Sequence, residues 1–436
     1  MNRSIFTWRQ WALLLALASP WLALPTKALA QTTADTQVPG ELVVKLRAAA
    51  DLAGVLSTHR LTLADRFGAR PIYRLKTVGS ESVTSKLESL LADPRVLMAE
   101  PNYLASSPEA RRRRVWAVGT ADNYTAQWAP AVLGLAQAHQ ITRGAGIRVA
   151  VLDTGVDRSH PALAPRLLPG RDFVDGDPDA SEAGVVGQGA YGHGTHVAGL
   201  VALVAPEAQI IPLRVLDADG LGSTWVLAEA LLHAVDPDGV AATDDGAHIV
   251  NLSLGTTRRT RLLDVAVELA TCSDDDDDEP DDDYSDPGYN ADKERCNLRR
   301  GAVVIAAAGN GGSATEFHYP AAEAAEGALS VTASTSSSRI AGFGNRGPWV
   351  QIAAPGVAIT STVPGGGYGS WSGTSMATPL AAGVAALVLA TQPDWKPVDV
   401  TKRLLDRSTK LCGTQIMGLH AAGAVGDYVP SSPSCP

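Results

Sequence analysis

From Trp116 onward the chain alternates short apolar runs with longer stretches in which apolar residues recur at helical spacing. The apolar runs predict strands at Ile147–Leu152, Ile210–Val215, Ile249–Leu254, Ala302–Ala307 and Leu329–Ala333. Helical spacing lies between them, for example at Trp225–Val235 and Leu262–Ala270. Strands that alternate with helices are typical of a mostly parallel sheet covered on both faces, so the predicted fold class is α/β.

The region from Gly40 to Ser106 has a different pattern, in which short strand-like and helical segments follow one another closely. The predicted order is strand Glu41–Leu46, a helix, strand Ile72–Lys76, helix Val83–Leu91 and strand Val96–Glu100. This order predicts a small α+β unit that precedes the larger domain. We place the small domain at residues 31–106 and the α/β domain at residues 116–436.

The first thirty residues have the layout of a secretory signal sequence. Arg3 and Arg9 precede an apolar run from Trp11 to Leu24, and small residues follow at 28–30. A membrane anchor is the alternative, but the run is shorter than the roughly 20 residues that span a bilayer. Since no later segment approaches that length without a charge, a proline or a glycine cluster, we expect a secreted, extracytoplasmic protein that is not an integral membrane protein.

Residues 107–115 form a predicted linker that contains four arginines at 111–114. A run of like charge is expected to be solvated and accessible to proteases. A nucleic-acid site is the alternative; it is disfavoured because no aromatic platform flanks the run and the protein is acidic overall. At 436 residues with 45% hydrophobic side chains, the chain can bury one large core and a small accessory domain.

The net charge of −10 comes from one segment. Residues 274–295 contain twelve acidic and two basic side chains, so the remainder of the chain is neutral in sum. This insertion, bracketed by Cys272 and Cys296, is predicted to be a solvated loop. Calcium binding is the alternative, although the spacing of an EF-hand is absent, and no cofactor is assigned.

Four cysteines fall into two local pairs, Cys272 with Cys296 and Cys412 with Cys435. Three connectivities are open from the sequence alone, and local pairing is the simplest. Each such loop, once closed, stabilises the fold by about 3.5 kcal/mol on the chain-entropy argument. Free thiols are the alternative, which is less compatible with an oxidising compartment.

Polar residues that could take part in catalysis follow the predicted strands and begin the predicted helices. Asp153 ends an apolar strand, and functional groups in parallel sheets collect at the carboxyl ends of strands. His193 lies between two glycines at the start of an apolar helix, and Ser375 lies in the first turn of another. A carboxylate, a histidine and a serine can supply the orienting group, general base and nucleophile of an acyl transfer.

Each segment taken alone has a simpler explanation. Asp153 fits a turn, Ser375 fits a helix cap, and His193 with His196 fits a metal site that would need a third ligand. A dinucleotide site is also conceivable, but Gly144 and Gly146 precede the strand, whereas phosphate binding needs glycines after it.

Five stretches together resemble the subtilisin family of serine proteases, in the family's own order. They are VAVLDTGVDRSHP, GHGTHVAGLVA, VNLSLG, VIAAAGN and WSGTSMATPLAAGVAAL. The resemblance extends over about residues 127 to 425 and implies a three-layer subtilisin-like fold. It makes Asp153 the orienting carboxylate, His193 the general base and Ser375 the nucleophile, with Asn310 as the side-chain donor of the oxyanion hole.

The resemblance also implies how substrates and an inhibitor bind. Ser253, Leu254 and Gly255 resemble the strand that pairs with an extended protein or peptide substrate, and Ala307 to Gly309 resemble the opposite pocket wall. Pairing of this kind reads main-chain groups, so it favours unfolded segments of many proteins. The region from Glu41 to Tyr103 resembles an inhibitory propeptide, so the precursor is expected to be inactive.

Two departures from the family change the expectation. Ala162 follows His160–Pro161, and the helix at Val197–Val204 runs on without a loop, so a calcium site common in the family is expected to be missing. Phe317, His318 and Tyr319 fall near the floor of the specificity pocket. We expect them to narrow it and to favour small or medium apolar side chains.

Two other functions remain open. A catalytically silent relative would use the fold for binding or adhesion, with the acidic insertion as its contact surface. A processing protease would use the same insertion to recruit a basic substrate by long-range attraction. Nothing in the sequence indicates a nucleic-acid partner or an oligomeric state.

Overall fold

The computed structural model of the chain describes residues 36–109, 116–273, 293–298, 301–323, 325–429 and 435. The predicted signal sequence at 1–30, the arginines at 111–114 and residues 274–292 of the acidic insertion lie outside the described residues.

The described residues form seventeen strands, numbered in chain order. They are β1 Gln37–Leu46, β2 Leu61–Arg66, β3 Ile72–Thr77, β4 Val96–Ser106, β5 Ala117–Gly119, β6 Arg148–Asp153, β7 Arg171–Asp172, β8 Gln209–Arg214, β9 Leu221–Ser223, β10 Ile249–Leu252, β11 Val303–Ala307, β12 Ala328–Ser334, β13 Ile352–Pro355, β14 Ile359–Val363, β15 Gly367–Trp371, β16 Thr409–Lys410 and β17 Met417–Gly418.

Twelve α-helices are described. They are α1 Leu52–His59, α2 Val83–Leu91, α3 Ala121–Ala126, α4 Trp128–Leu133, α5 Leu135–Ala138, α6 His193–Val204, α7 Thr224–Val235, α8 Arg261–Thr271, α9 at residues 293–298, α10 Thr374–Thr391, α11 Pro397–Asp406 and α12 Ala421–Val425.

The large sheet has nine strands in the order β16-β17-β13-β12-β11-β10-β6-β8-β7. All neighbouring strands are parallel except β16 and β17. The interior strand β6 serves two cores, because successive side chains of a strand point to opposite faces. Val149 and Val151 pack with helices α6 and α10 on one face, while Ala150 and Leu152 pack with α7 and α8 on the other. The predicted α/β fold with a mostly parallel sheet between helical layers is confirmed.

The N-terminal region forms a second sheet, in the order β2-β3-β1-β4-β9. Our predicted alternation of strand and helix was wrong at one point, since β2 is an additional strand. Only Leu61 is buried along β2, which lies at the edge of the sheet, so its sequence lacks the alternation that marks a half-buried strand. The order of elements is therefore βαββαβ. The last strand of this sheet, β9, comes from the α/β region.

Both local cysteine pairs are joined in the structure, Cys272 to Cys296 and Cys412 to Cys435. The first disulfide joins the two cysteines that flank the acidic insertion in the sequence, with their Cα atoms 5.5 Å apart. The simplest of the three connectivities is thus confirmed.

Helix α10 is the only described helix that is long and apolar enough to cross a membrane by composition. Its apolar window is 89% buried, and it packs against α6 and the strands of the large sheet. It is a core helix, and it carries Ser375 in its first turn.

Gly383 lies where α10 crosses α6, and a Cβ atom there would come within 2.5 Å of the Cβ of Val204. Alanine favours a helix by about 1 kcal/mol over glycine, but overpacking a core costs about 1–3 kcal/mol. We therefore expect Gly383→Ala to lower Tm by several degrees in thermal unfolding followed by circular dichroism. Gly342→Ala is the matched control, because no other atom lies within 4 Å of the position that its methyl group would take. Equal Tm values for the two variants would contradict the close approach.

Candidate active site

Asp153 and His193 meet at the carboxyl end of strand β6. The Nδ1 atom of His193 donates to Asp153 Oδ1 at 2.7 Å, and both side chains are fully buried. The backbone N–H of Thr154 donates to the same oxygen at 2.8 Å. Because the carboxylate is an acceptor only, Nδ1 carries the proton and Nε2 faces the opposite direction.

Two glycines allow the start of α6 to approach the strand end so closely. Gly192 precedes the helix with a φ of 86°, a left-handed conformation that glycine adopts without strain. A Cβ atom at position 194 would lie 2.2 Å from the carbonyl oxygen of Gly155 and 3.0 Å from the Cβ of Asp153. The glycines on either side of His193 are therefore a geometric requirement of the contact with Asp153.

Ser375 and Asn310 lie opposite the histidine and are held by the first turn of α10. The Oδ1 atom of Asn310 accepts from the N–H of Thr374 at 2.9 Å and from its hydroxyl at 3.0 Å. These contacts orient the amide so that its Nδ2 donor points away from α10. The Oγ atom of Ser375 lies 3.1 Å from the carbonyl oxygen of Ser253, within the predicted substrate-binding strand.

Glu109 joins all of these groups, and no sequence pattern predicted it. Its Oε2 atom lies 2.5 Å from Ser375 Oγ and 3.2 Å from His193 Nε2, while Oε1 accepts from Asn310 Nδ2 at 2.7 Å. The side chain is 2% exposed. Glu109 thus occupies the space among the three groups in which an acyl transfer would occur.

The carboxylates on either side of the His193 ring control its charge. Burial alone lowers the pKa of His193, but Asp153 and Glu109 outweigh burial and raise the pKa to about 10. Burial likewise raises the pKa of Glu109, yet its hydrogen bonds with His193, Ser375 and Asn310 hold the pKa below its usual value. At neutral pH the site therefore contains an imidazolium between two carboxylates.

His196 is engaged elsewhere, one turn further along α6. Its Nε2 atom lies 3.2 Å from the carbonyl oxygen of Ile359 and 3.1 Å from that of Gly369, so it donates to the backbone. Burial lowers the pKa of His196 to about 3 and keeps the ring neutral. The contacts of His193 and His196 therefore do not favour a shared metal ion.

A candidate metal cluster is found at the end of α7. Asp236, Asp238 and Asp245 place carboxylate oxygens within 4.8 Å of one another. This cluster contains none of the residues that the sequence singled out as functional.

A third carboxylate, Glu182, ties the end of β6 to the start of α6. Its Oε1 accepts from Thr154 Oγ1 at 2.7 Å, and its Oε2 accepts from Thr195 Oγ1 at 2.8 Å. Thr154 Oγ1 in turn accepts from the N–H of Gly194 at 2.9 Å. Burial raises the pKa of Glu182 to about 7. Sequence reasoning missed this residue because it lies eleven positions before His193, in a segment without a regular pattern.

The end of β4 leads Glu109 into the site along the predicted substrate-binding strand. Leu104 to Ser106 pair antiparallel with β9, and Ser106 exchanges two backbone hydrogen bonds with Gly255, of 2.8 and 3.0 Å. The N–H of Ser107 donates to the carbonyl oxygen of Gly220. The predicted residues Ser253, Leu254 and Gly255 therefore lie beside an extended segment that leads to Glu109, the residue in contact with Ser375.

Earlier in β4, two side chains bind the N-termini of neighbouring helices. Glu100 accepts from the N–H groups of Arg261 and Leu262 at 3.0 and 3.1 Å. Asn102 Oδ1 accepts from the N–H of Trp225 at 3.1 Å. Helix N-termini have unpaired N–H groups and a partial positive charge, so both contacts stabilise the docked sheet. Burial raises the pKa of Glu100 to about 7 against these bonds.

The charge of His193 can be measured directly. In the intact chain with Ser375→Ala, we expect the ring to stay protonated to about pH 10 in a nitrogen-15 NMR titration. Adding Glu109→Gln should lower the pKa by about one unit or more, because an adjacent opposite charge is removed. Glu88→Gln, an exposed change in α2, is the matched control. An unchanged pKa in the Glu109→Gln chain would contradict the arrangement.

Comparison with known proteins identifies the family. The Subtilase family matches residues 144–424, and the Fervidolysin N-terminal prodomain matches residues 24–102. The chain is 33% identical over 395 residues to a "Thermophilic serine proteinase" of Bacillus sp. (strain AK1), covering 86% of this chain and 84% of that protein. It is 36% identical over 284 residues to "Subtilisin BL" of Lederbergia lenta, covering 63% of this chain and 88% of that protein.

A solved structure supports the same fold. The crystal structure of fervidolysin from Fervidobacterium pennivorans, described as a keratinolytic enzyme related to subtilisin, matches with a TM-score of 0.69 at 23% identity. The match covers 91% of this chain and 62% of that chain. Since the family match alone covers more than half of the sequence, the chain belongs to the subtilase family of serine proteases and carries an N-terminal prodomain.

Proposed function

We propose that this protein is a secreted serine endopeptidase that hydrolyses peptide bonds through an acyl-enzyme, with Asp153, His193 and Ser375 as its triad. The observation that carries the proposal is the convergence of His193, Ser375 and Asn310 on one carboxylate, Glu109. Groups that surround a carboxylate in this way also surround the oxyanion of a peptide under attack. Secretion rests on the signal-like pattern of residues 1–30.

In the proposed reaction, His193 Nε2 removes the proton of Ser375 as its oxygen attacks the substrate carbonyl, and then delivers that proton to the leaving amine. Asp153 holds the ring by its Nδ1 and stabilises the imidazolium that forms. Asn310 Nδ2 and the N–H of Ser375 donate to the developing negative oxygen. In a subtilisin, loss of one such donor costs about 100- to 1000-fold in turnover.

The end of β4 is our template for how a substrate binds. An extended chain that pairs with Gly255 on one side and with β9 on the other is recognised by main-chain groups. Protein and peptide segments that can become extended are therefore the expected substrates. Ser253, Leu254 and Gly255 form one wall, and Ala307 and Gly309 form the other.

The proposal includes an inactive precursor, for which Glu109 supplies the physical basis. A carboxylate in the oxyanion position excludes the substrate carbonyl. It also stabilises the protonated form of His193, which cannot accept the proton of Ser375. The propeptide thus silences the enzyme both by occupancy and by charge.

The triad assignment is tested by comparing the matured wild-type enzyme with Ser375→Ala. We expect Ser375→Ala to lower the turnover number for an unfolded protein substrate by roughly a million-fold. The same change should prevent labelling by a fluorophosphonate. Ser336→Ala, an exposed serine, is the matched control and should behave as the wild type. Matured wild-type protein that neither digests nor labels would instead favour the silent binding scaffold.

The precursor block is tested separately with Glu109→Gln. Each unit by which the His193 pKa falls gives about tenfold more neutral imidazole at a pH below that value. We therefore expect the Glu109→Gln precursor to convert to the mature form about tenfold faster at pH 8, and wild-type conversion to accelerate as the pH rises towards 10. Mass spectrometry over time measures both rates. Conversion no faster than that of Glu88→Gln would show that Glu109 does not hold the precursor.

A further inference from the structure

His318 fills the space between the two walls of the proposed substrate-binding cleft. A Cβ atom on Gly255 would lie 2.5 Å from His318 Cε1 and 2.8 Å from Nδ1. A Cβ atom on Gly309 would lie 3.2 Å from His318 Cγ. The imidazole ring therefore contacts the bare backbone of both walls at once.

His318 is held in place both through the main chain next to it and through its ring. Tyr319 pairs antiparallel with Thr256 through two backbone hydrogen bonds of 2.7 and 2.8 Å, which anchors the main chain next to His318. The Nδ1 atom of His318 lies 2.9 Å from the carbonyl oxygen of Ala307, so Nδ1 donates to that wall. The residue is 6% exposed. A substrate side chain cannot move the ring without breaking this hydrogen bond.

The neighbouring aromatic residues do not share this position. Phe317 is 42% exposed and packs on Trp349 with ring centroids 4.5 Å apart. The Tyr319 ring also stacks with that of Phe317, with the two centroids 6.3 Å apart. Of the three residues that the sequence placed near the pocket floor, His318 is the one whose ring contacts both walls.

The bound N-terminal strand shows which substrate residue faces this space. Ser106 pairs with Gly255, and continuing that antiparallel register sets Pro108 opposite Ser253. Ser253 is in contact with Ser375, so Pro108 occupies the place of the residue that precedes the cleaved bond. The next residue, Glu109, binds Asn310, which follows Gly309, so the chain at Pro108 runs between the two walls that His318 joins.

We propose that His318 restricts the substrate residue before the cleaved bond to small side chains, such as those of alanine and serine. The proposal rests on the proposed endopeptidase function and names the substrate class of the same site. A substrate side chain that enters between the walls meets the His318 ring, which lies against Gly255 and Gly309. A difference of a single methylene group in such a pocket changes kcat/KM by about 10- to 200-fold. A ring that cannot move therefore discriminates strongly between substrates with small and with large side chains at this place.

The experiment compares the matured wild-type enzyme with His318→Gly and His318→Asn. His318→Asn keeps an amide donor for the Ala307 carbonyl while shortening the side chain. Tetrapeptide p-nitroanilides that differ only in the last residue, alanine, leucine or phenylalanine, give kcat/KM values. Active enzyme is counted by fluorophosphonate titration. Tyr428→Ala, a change at an exposed aromatic residue that stacks on His420, is the matched control.

We expect the wild-type enzyme to cleave after alanine at least about tenfold better than after phenylalanine, and both His318 variants to shift this ratio towards phenylalanine by about tenfold or more. Tyr428→Ala should leave the ratio unchanged. The inference is overturned if the wild type cleaves equally well after phenylalanine, or if an active variant keeps the wild-type ratio. Failure of the wild type to label or to cleave any of the three substrates would instead contradict the proposed function.

Discussion

The arrangement of the whole site depends on one close approach, that of the first turn of α6 to the carboxyl end of β6. The hydrogen bond from His193 Nδ1 to Asp153 spans this contact, and a side chain at position 194 would prevent it. Glu182 holds the same two segments through Thr154 and Thr195. Because Asp153 ends strand β6 and His193 begins helix α6, regular secondary structure rather than a loop positions both side chains.

The N-terminal sheet and the cleft behave as one structural unit, since β9 completes the N-terminal sheet and the end of β4 runs between the cleft walls. Glu100 and Asn102 accept hydrogen bonds from backbone N–H groups in the first turns of α8 and α7. An α-helix has no acceptor of its own for the N–H groups of its first turn. These contacts place β4 in register, and the register places Glu109 among His193, Asn310 and Ser375. The position of Glu109 therefore depends on the packing of β4 against α7 and α8.

Charge and shape act on different parts of the cleft. Around Ser375, the carboxylates of Asp153 and Glu109 raise the pKa of His193 to about 10 and so favour its imidazolium form. Beside it, a neutral wall of glycine backbone and the His318 ring sets the room available for a side chain. The first feature depends on Glu109, which lies in the predicted linker between the prodomain and the α/β domain. The second belongs to the α/β domain alone.

The sequence by itself determined the parallel sheet and the positions of Asp153 at a strand end and of His193 and Ser375 in helix starts. These features follow from local periodicity and from short motifs, so neighbouring residues suffice to predict them. Edge strand β2 was missed because a strand with one buried residue carries no such pattern. The tertiary structure alone decided that Glu109 meets His193, Asn310 and Ser375, which are 84, 201 and 266 residues away. It also decided that His318 joins both walls, because contacts between distant segments arise from packing and leave no local signal in the chain.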